Sequence, residues 1–544
     1  MLKKLLNTKT KSITSAAIIV GAASLISRIL GILRDRVLAG EFGAGYELDI
    51  YYASFRIPDL IFNLLVLGAI SAGFIPIFVS YLKRGKVKEI LGFKSQKKAW
   101  QVANLVLNSL IVCMIVATII LIIFAPILVR LIAPGFTDEQ LDLTANLTRI
   151  MFLSPILLGI SAIIGGILQS FKRFFVYSLA PIFYNIGIII GALYLVDYFG
   201  IYGLAWGVVL GAFLHLAIQV PATYNLGYRY TWILDFKDKG LRRIIKMMVP
   251  RTLSLGITQI NLLVITIIAS TLAVGSITVF NFANNLQSFP LGIFGISFAI
   301  AAFPTLAELA SKKNLDKFIE SFSSTFRQIL FLVIPSSVLL LILRAQIVRI
   351  VLGTGRFDWE DTVMTLNTLG FFALSLFAQS LIPLLARAFY SFHDSKTPFL
   401  TGLFSAVVNI ILSLLFIKRY DVAGLALAFS ISSILNFVLL IIFLRFQTKK
   451  LDGINISLTL GKVLLASGFL AILTQSVKYA VEPITGTQTF LGIATQGFLA
   501  CVVGLAGYVF ILWWLKSDEL SYFTKMFKKK FFKIKTPVDA SEAR

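Results

Sequence analysis

The stretch Ser24-Leu-Ile-Ser-Arg28-Ile-Leu-Gly31-Ile-Leu-Arg34-Asp35-Arg36, followed closely by Asp49-Ile-Tyr-Tyr-Ala-Ser-Phe-Arg56-Ile-Pro58-Asp59 and running on to Pro76, decides the fold. Its two arms are apolar enough to sit in a bilayer, yet charges recur along both. An arginine near the bilayer centre costs about 2.5–3.5 kcal/mol on insertion scales, so it persists only against a partner or a wet cavity. The hairpin therefore predicts a membrane protein with a charged interior.

The rest of the 544-residue chain agrees: 58% of residues are hydrophobic, only 14% are charged, and the mean hydropathy is +0.88. Such a balance excludes an ordinary soluble enzyme. The formal net charge of +24 would suggest nucleic acid in a soluble chain. Here most of the excess sits in short loops between apolar runs, as the positive-inside rule expects, and no nucleic-acid partner is expected. Cys113 and Cys501 lie in separate apolar stretches and read as small buried hydrophobes, with neither a disulfide framework nor a metal site. Lys3, Lys4, Lys9 and Lys11 precede an apolar run that continues into Arg28 and Arg34 without a small-x-small cleavage site, which reads as an uncleaved first span.

A helix needs about 20 apolar residues to cross the hydrocarbon. On that rule the chain holds about fourteen spans, centred roughly on 12–38, 50–81, 100–125, 146–170, 176–198, 201–222, 243–272, 277–305, 320–344, 364–390, 398–417, 422–445, 459–480 and 489–515. Loops after even-numbered spans are basic (Lys83 to Lys98, Lys172-Arg173, Lys237 to Lys246, Lys312-Lys313, Lys449-Lys450). Loops after odd-numbered spans carry acids (Glu41 and Glu47, Asp138-Glu139, Asp197, Asp358 to Asp361, Glu482). Both termini are basic, so span count and loop charge together predict a multi-pass protein of a cytoplasmic membrane with both ends cytoplasmic. No loop is long enough to fold as a soluble catalytic module. The tail from Lys525 through Lys528-Lys529-Lys530 to Lys533 is basic and aromatic, and reads as an anchor to anionic headgroups.

An internal repeat is visible. Ser170-Phe171 corresponds to Ser391-Phe392, and Gly203-Leu204-Ala205 to Gly424-Leu425-Ala426, both at an offset of 221. Phe74-Ile-Pro76 in span 2 also resembles Phe303-Pro304 in span 8. The expected fold is an all-α polytopic protein: a six-helix lobe over 1–225, a second over 226–447, two extra helices over 448–515 and a cytoplasmic tail over 516–544. A transporter built from two repeats places its site at their interface near the midplane. That points to spans 1, 2, 7 and 8, which carry Arg28, Arg34, Asp35, Arg36, Arg56, Asp59, Arg251, Gln259, Asn261, Asn281, Asn284, Asn285 and Gln287.

Guanidinium is always charged and grips phosphate oxygens in pairs, so several arginines in a low-dielectric cavity suit a pyrophosphate. Arg28, Arg34, Arg56 and Arg251 are the expected substrate-binding residues, with Asp35, Asp49, Asn284 and Asn285 as supporting polar groups. The alternative for the arginines is pairing with Asp35, Asp49 and Asp59 that merely ties helices together, while Arg36 snorkels outward. On a straight helix Arg28 and Asp35 share a face, whereas Arg34 points about 120° from Arg28. His215 reads as a satisfied core residue and His393 as a loop residue; neither has metal-ligand neighbours. Pro58, Pro76, Pro290 and Pro304 should kink their spans, and Gly292 and Gly295 should serve packing.

At this point the chain resembles the MurJ/MviN family of lipid II flippases, in the multidrug/oligosaccharidyl-lipid/polysaccharide exporter superfamily. The carrying segments are Ser27-Arg28-Ile-Leu-Gly31-Ile-Leu-Arg34-Asp35, Phe42-Gly43-Ala44-Gly45, Asp49, Phe55-Arg56-Ile-Pro58, Gly68-Ala69 to Phe74-Ile-Pro76, Gln259-Ile-Asn-Leu, Phe389-Tyr-Ser-Phe and Asp394-Ser-Lys-Thr-Pro398. The resemblance implies two six-helix lobes about a cationic cavity, a polyprenyl-tail groove in spans 13 and 14, and outward movement of the head group by alternating access. It places Arg28 and Arg34 on the family's cavity arginines, and Asp35 and Asp49 on its acidic positions. Two departures stand out. Phe62 or Asn63 replaces an arginine usual later in span 2, with Leu67 where a glutamate is usual, and Ala283-Asn284-Asn285 replaces Ala-Asp-Arg. Arg56 and Arg251 are expected to compensate.

The leading expectation is thus a lipid II flippase, a non-enzymatic monomer without cofactor or metal, with coupling to the membrane potential or to an unidentified ion left open. A flippase for another polyprenyl-pyrophosphate glycan is the alternative. A membrane glycan-transfer enzyme would need a carboxylate base near the membrane surface, for which Asp358, Glu360 and Asp361 are the only candidates. A drug/cation antiporter is disfavoured because a positive cavity repels cations.

Overall fold

The computed structural model describes residues 13–67, 73–90 and 96–532, with side chains described except at 13–18, 67, 83–90, 96–97, 249–251, 253–255 and 526–532. Lys3 to Lys11, Gly68-Ala69 and the tail beyond Phe532 therefore lie outside the described residues, as do the side chains of Arg251 and of Lys528 to Lys530. Among the described residues every regular element is helical. The described residues of each of the fourteen stretches expected to span are mainly helical, from Ile13–Phe42 to Phe490–Trp514. Among the described residues nine helices are long and apolar enough to cross a membrane, and ten when the pair Trp359–Leu374 and Leu376–Ser391, bent by 47°, counts as one. The chain is a multi-pass membrane protein.

One of the nine, Lys396–Thr448, has 53 residues. At 1.5 Å per residue it would reach about 80 Å, more than twice a hydrocarbon core. It is two spans, because Asp421 inside it has φ 46° and ψ −134°. The corresponding break in the first half is Gly200, with φ 57° and ψ −147°, again 221 positions earlier. The same elbow is followed by the same glycine. A Cβ on Gly203 would strike the backbone of Leu195 and Val196, and one on Gly424 the backbone of Phe416 and Ile417. The other end of the repeat matches too. Lys172 and His393 adopt φ 61° and 62°, with Lys172 N–H donating to Gln169 O (2.9 Å) and His393 N–H to Tyr390 O (3.0 Å). Arg173 N–H reaches Leu168 O (2.8 Å) and Asp394 N–H reaches Phe389 O (3.1 Å), so both helices close with the same left-handed cap. The repeat is a property of the backbone, and the sequence match is its trace.

Asp421 holds a conformation that glycine occupies at no steric cost and that strains a residue with a Cβ by about 1–3 kcal/mol. Asp421→Gly is therefore expected to stabilise the protein by about 1 kcal/mol, read as a raised unfolding midpoint of the detergent-solubilised protein. An unchanged or lowered midpoint would mean that the aspartate is not strained there.

Three spans carry a π-helical stretch: Phe62–Leu67, Gly191–Leu195 and Leu291–Ile296. The first follows Pro58 by one turn and the last follows Pro290 directly. A proline lacks the N–H that its turn needs and crowds the preceding carbonyl, and a widened turn accommodates both. Spans 2 and 8 thus share their expected distortion.

The chain packs as two compact units, Met1–Phe282 with Val351–Asp361, and Ala283–Ile350 with Thr362–Arg544. The first is centred on Ile57, Val66, Phe74, Phe78, Val106 and Ile163. Within it, Gly187 and Gly191 face Gly211 and Gly207 so closely that a Cβ on any of them would meet backbone, the close approach that small residues permit between membrane helices. The second is centred on Phe318, Phe322, Ile329, Leu381 and Leu385, and the two last spans join it through Val463, Leu470, Tyr508 and Leu512. Gly292 and Gly295 are buried there, and a Cβ on Gly295 would stand 2.7 Å from Ser380 Cα, as the packing role predicts. The C-terminal helix Asp518–Phe532 is fastened to this unit by Glu519, which accepts from Arg327 Nη1 (2.7 Å) and Thr459 Oγ1 (3.0 Å).

Candidate functional site

In the first unit, spans 1, 2, 4, 5 and 6 enclose a cavity of about 770 Å³, within the size range of ligand pockets. Helix Ile13–Phe42 contributes Ser24, Ser27 and Arg28, and the junction after Tyr46–Ile61 contributes Asp59, Phe62 and Asn63. Helix Leu153–Ser170 contributes Ser161 and Gln169, helix Phe174–Ile190 contributes Ser178, Tyr177 and Tyr184, and the end of span 6 contributes His215 and Gln219. Arg28 is its one arginine or lysine among the described lining residues, and Asp59 its one acid. Asp59, Phe62 and Asn63 stand at i, i+3 and i+4 along span 2, the spacing that puts side chains on one helix face. Asn63 Nδ2 also donates to Asp59 O (2.8 Å).

The other expected arginines are placed differently. Arg34 binds its neighbour: Nη2 and Nε donate to Asp35 Oδ1 at 2.8 and 3.1 Å, while Nη1 reaches Asn185 Oδ1 at 3.3 Å. Asn185 also donates to Pro181 O (3.0 Å) and Ser27 O (3.5 Å), so this set ties span 5 to span 1. Arg56 donates to Thr266 Oγ1 (2.7 Å) and Asn281 Oδ1 (3.0 Å), joining span 2 to spans 7 and 8. Neither Arg34 nor Arg56 is among the cavity-lining residues. Arg36 does not simply snorkel; its Nη1 meets Val351 O at 3.3 Å. Arg251 stands on helix Lys239–Ala269, its side chain outside the described ones.

Asp49, expected as a supporting polar group, is buried and fully engaged. Oδ2 accepts from Gly275 N–H (2.7 Å), and Oδ1 from both the N–H (2.8 Å) and the hydroxyl (2.7 Å) of Thr278. Its carboxylate thus caps the first turn of helix Ser276–Pro290, where the helix dipole favours an anion. In the second unit, Asn284 begins a chain of amides. Gln287 Nε2 donates to Asn284 Oδ1 (3.0 Å) and Gln379 Nε2 to Gln287 Oε1 (3.0 Å); Gln379 also donates to Ser375, which reaches Ser430. Asn285 is half-buried on the same helix. The external acids also have structural employment: Asp361 Oδ2 accepts from Ala44 N–H at 2.8 Å, and Asp358 Oδ1 from Asp361 N–H at 2.9 Å. Among the described residues no cluster of His, Cys, Asp or Glu is arranged to hold a metal ion.

Sequence reasoning pointed to spans 1, 2, 7 and 8, and so missed Ser161, Tyr177, Tyr184 and Gln219 from spans 4 to 6. Their signal was present as polar and amphipathic residues inside strongly apolar runs. His215 was noticed and read as core. It is hydrogen-bonded, as that reading requires, but it also lines the cavity. Phe62 and Asn63, one of which was read as standing in place of an expected arginine, both line it as well.

The architecture defines the class: a polytopic α-helical protein with the fold of the MOP superfamily. It superimposes on a multidrug resistance MATE family transporter of that superfamily, in an inward-facing conformation, with a TM-score of 0.64 and 15% identity, over 78% of this chain and 94% of that one. It superimposes on the lipid II flippase MurJ in an inward closed conformation with a TM-score of 0.74 and 24% identity, over 92% of this chain and 99% of that one. Residues 38–490 match the model of the family described as lipid II flippase MurJ. A probable lipid II flippase MurJ from Buchnera aphidicola subsp. Acyrthosiphon pisum is 32% identical over 432 residues, 77% of this chain and 81% of that protein. The chain belongs to the lipid II flippase MurJ family.

Proposed function

We propose that the protein moves lipid II from the inner to the outer leaflet of a bacterial cytoplasmic membrane by alternating access, with no bond made or broken. Family membership over 38–490 supports the substrate. The single structural observation that carries the mechanism is Arg28 in a polar cavity among apolar helices. A guanidinium held in such a space binds a diphosphate with charge-assisted bonds that water would otherwise weaken. Arg34, Arg56 and Arg251 stand behind it in this reading. Arg34 and Arg56 hold the helices that shape the cavity, and Arg251 meets the substrate at another stage of the cycle. Two six-helix lobes, 1–225 and 226–447, supply the alternating halves, and spans 13 and 14 hold the polyprenyl tail.

With both termini cytoplasmic, outward movement of the anionic headgroup runs with an outside-positive potential, worth about 2.3 kcal/mol per charge per 100 mV. The potential alone then suffices to bias the cycle, and the protein works as a monomer. A second reading, a flippase for another polyprenyl-diphosphate glycan, draws on Phe62 and Asn63, which give the cavity an aromatic ring and an amide, one of them in place of the arginine that the family resemblance leads one to expect. Both readings are tested by lipid II accessibility at the outer surface of cells depleted of their own flippase and supplied with this gene. Restored outer exposure is the expected result; lipid II that stays inside while the protein is present in the membrane would remove the first reading.

A further inference from the structure

The charged end of the cavity at Arg28 and Asp59 leaves a neutral end unexplained. There Gln219, fully buried, spends its amide on two bonds, Nε2 donating to Ser161 Oγ (2.6 Å) and His215 O (3.1 Å). Its Oε1 is buried and has no protein partner. Ser161 Oγ lies 2.7 Å from His215 Nδ1 and 3.2 Å from His215 O. With the hydroxyl hydrogen on Nδ1 the ring keeps Nε2–H as a donor, and with it on His215 O the ring offers Nε2 as an acceptor. The cluster therefore offers one spare acceptor, Gln219 Oε1, and a ring nitrogen that takes whichever role its tautomer gives. A Cβ on Gly165 would stand 3.0 Å from Gln219 Oε1 and 3.1 Å from the Tyr177 ring, so the Gln219 carbonyl oxygen and the Tyr177 ring both pack close against the backbone of span 4. The rings of Tyr177 and Tyr184 line the same end, the latter edge-on to His215 at 6.4 Å.

From this geometry we infer that Ser161, His215 and Gln219 form a subsite for a neutral group that both donates and accepts, a sugar hydroxyl or a secondary amide of the glycan headgroup. The inference rests on the reading that this cavity receives a polyprenyl-diphosphate glycan. An unpaired buried acceptor is costly, so a headgroup donor that reaches Gln219 Oε1 binds with a gain that a bare diphosphate cannot obtain. Arg28 then reads the phosphate, and the neutral cluster reads what is attached to it.

The test measures binding of two lipids, lipid II and sugar-free undecaprenyl diphosphate, to the full chain in nanodiscs. Wild type should prefer lipid II. Gln219→Leu should lower that preference about tenfold, the equivalent of about 1.4 kcal/mol. Ser161→Ala, which removes the hydroxyl that Gln219 and His215 share, should lower it in the same direction and guards against a Gln219 variant that fails to fold. Equal losses for both lipids, or an unchanged preference in a folded Gln219→Leu protein, would overturn the subsite. Arg28→Ala should weaken both lipids alike. Should it weaken neither while Gln219→Leu still erodes the preference, the diphosphate contact fails and the glycan subsite stands.

Discussion

Arg28→Ala should abolish growth of a flippase-depleted strain while the protein still accumulates in the membrane. Arg28 is half-buried and lines the cavity, so its removal takes away the one arginine or lysine among the described lining residues. Charge-assisted bonds to phosphate in a desolvated site are worth about 1.5–3 kcal/mol each. Losing two of them would slow transport by at least about a hundredfold. Arg28→Lys should restore part of the activity, since an ammonium keeps the charge and loses the planar fork. The contrast is Arg56→Ala, which strands Thr266 and Asn281 and should lower the unfolding temperature as well as activity. Normal growth with Arg28→Ala would take this residue out of the transport mechanism.

Asp49→Ala should be the most destabilising single substitution at the acidic positions, by at least about 3 kcal/mol. The carboxylate accepts three hydrogen bonds from Gly275 and Thr278, and alanine leaves two backbone N–H groups and a hydroxyl buried without them. Gly275, at φ 90°, has Ala44 O where a Cβ would be, so the turn cannot drift to find other acceptors. Asp49→Asn keeps one oxygen but turns an N–H₂ toward an N–H, and should fall between. The measurement is the unfolding midpoint of purified protein. A midpoint near wild type for Asp49→Ala would show that the turn is held by other means and would reopen a transport role for this acid.

Much of the architecture was readable because membrane insertion writes itself into the chain: apolar length sets the spans, and two coinciding matches at one offset exposed the repeat. The roles of individual arginines were not readable in this way. Arg34 and Arg56 look like Arg28 on any hydropathy scale. What separates them is Asn185, 151 residues from Arg34, and Thr266 and Asn281, 210 and 225 residues from Arg56. Helical-wheel reasoning correctly turned Arg34 away from Arg28, but it could not show that Asp35, one residue on, would be its partner. The cavity's neutral end was hidden for a related reason. Ser161 and Gln219 are unremarkable alone, and acquire meaning only when span 4 is laid against the end of span 6.

The paired elbows at Gly200 and Asp421 also have a mechanical consequence. A span that turns into the next within about one residue, with a glycine pressed on the backbone it has just left, has no slack. Bending that the transport cycle needs is then expected away from the elbows themselves, at the widened turns Phe62–Leu67, Gly191–Leu195 and Leu291–Ile296, where the helical rods are already loosened.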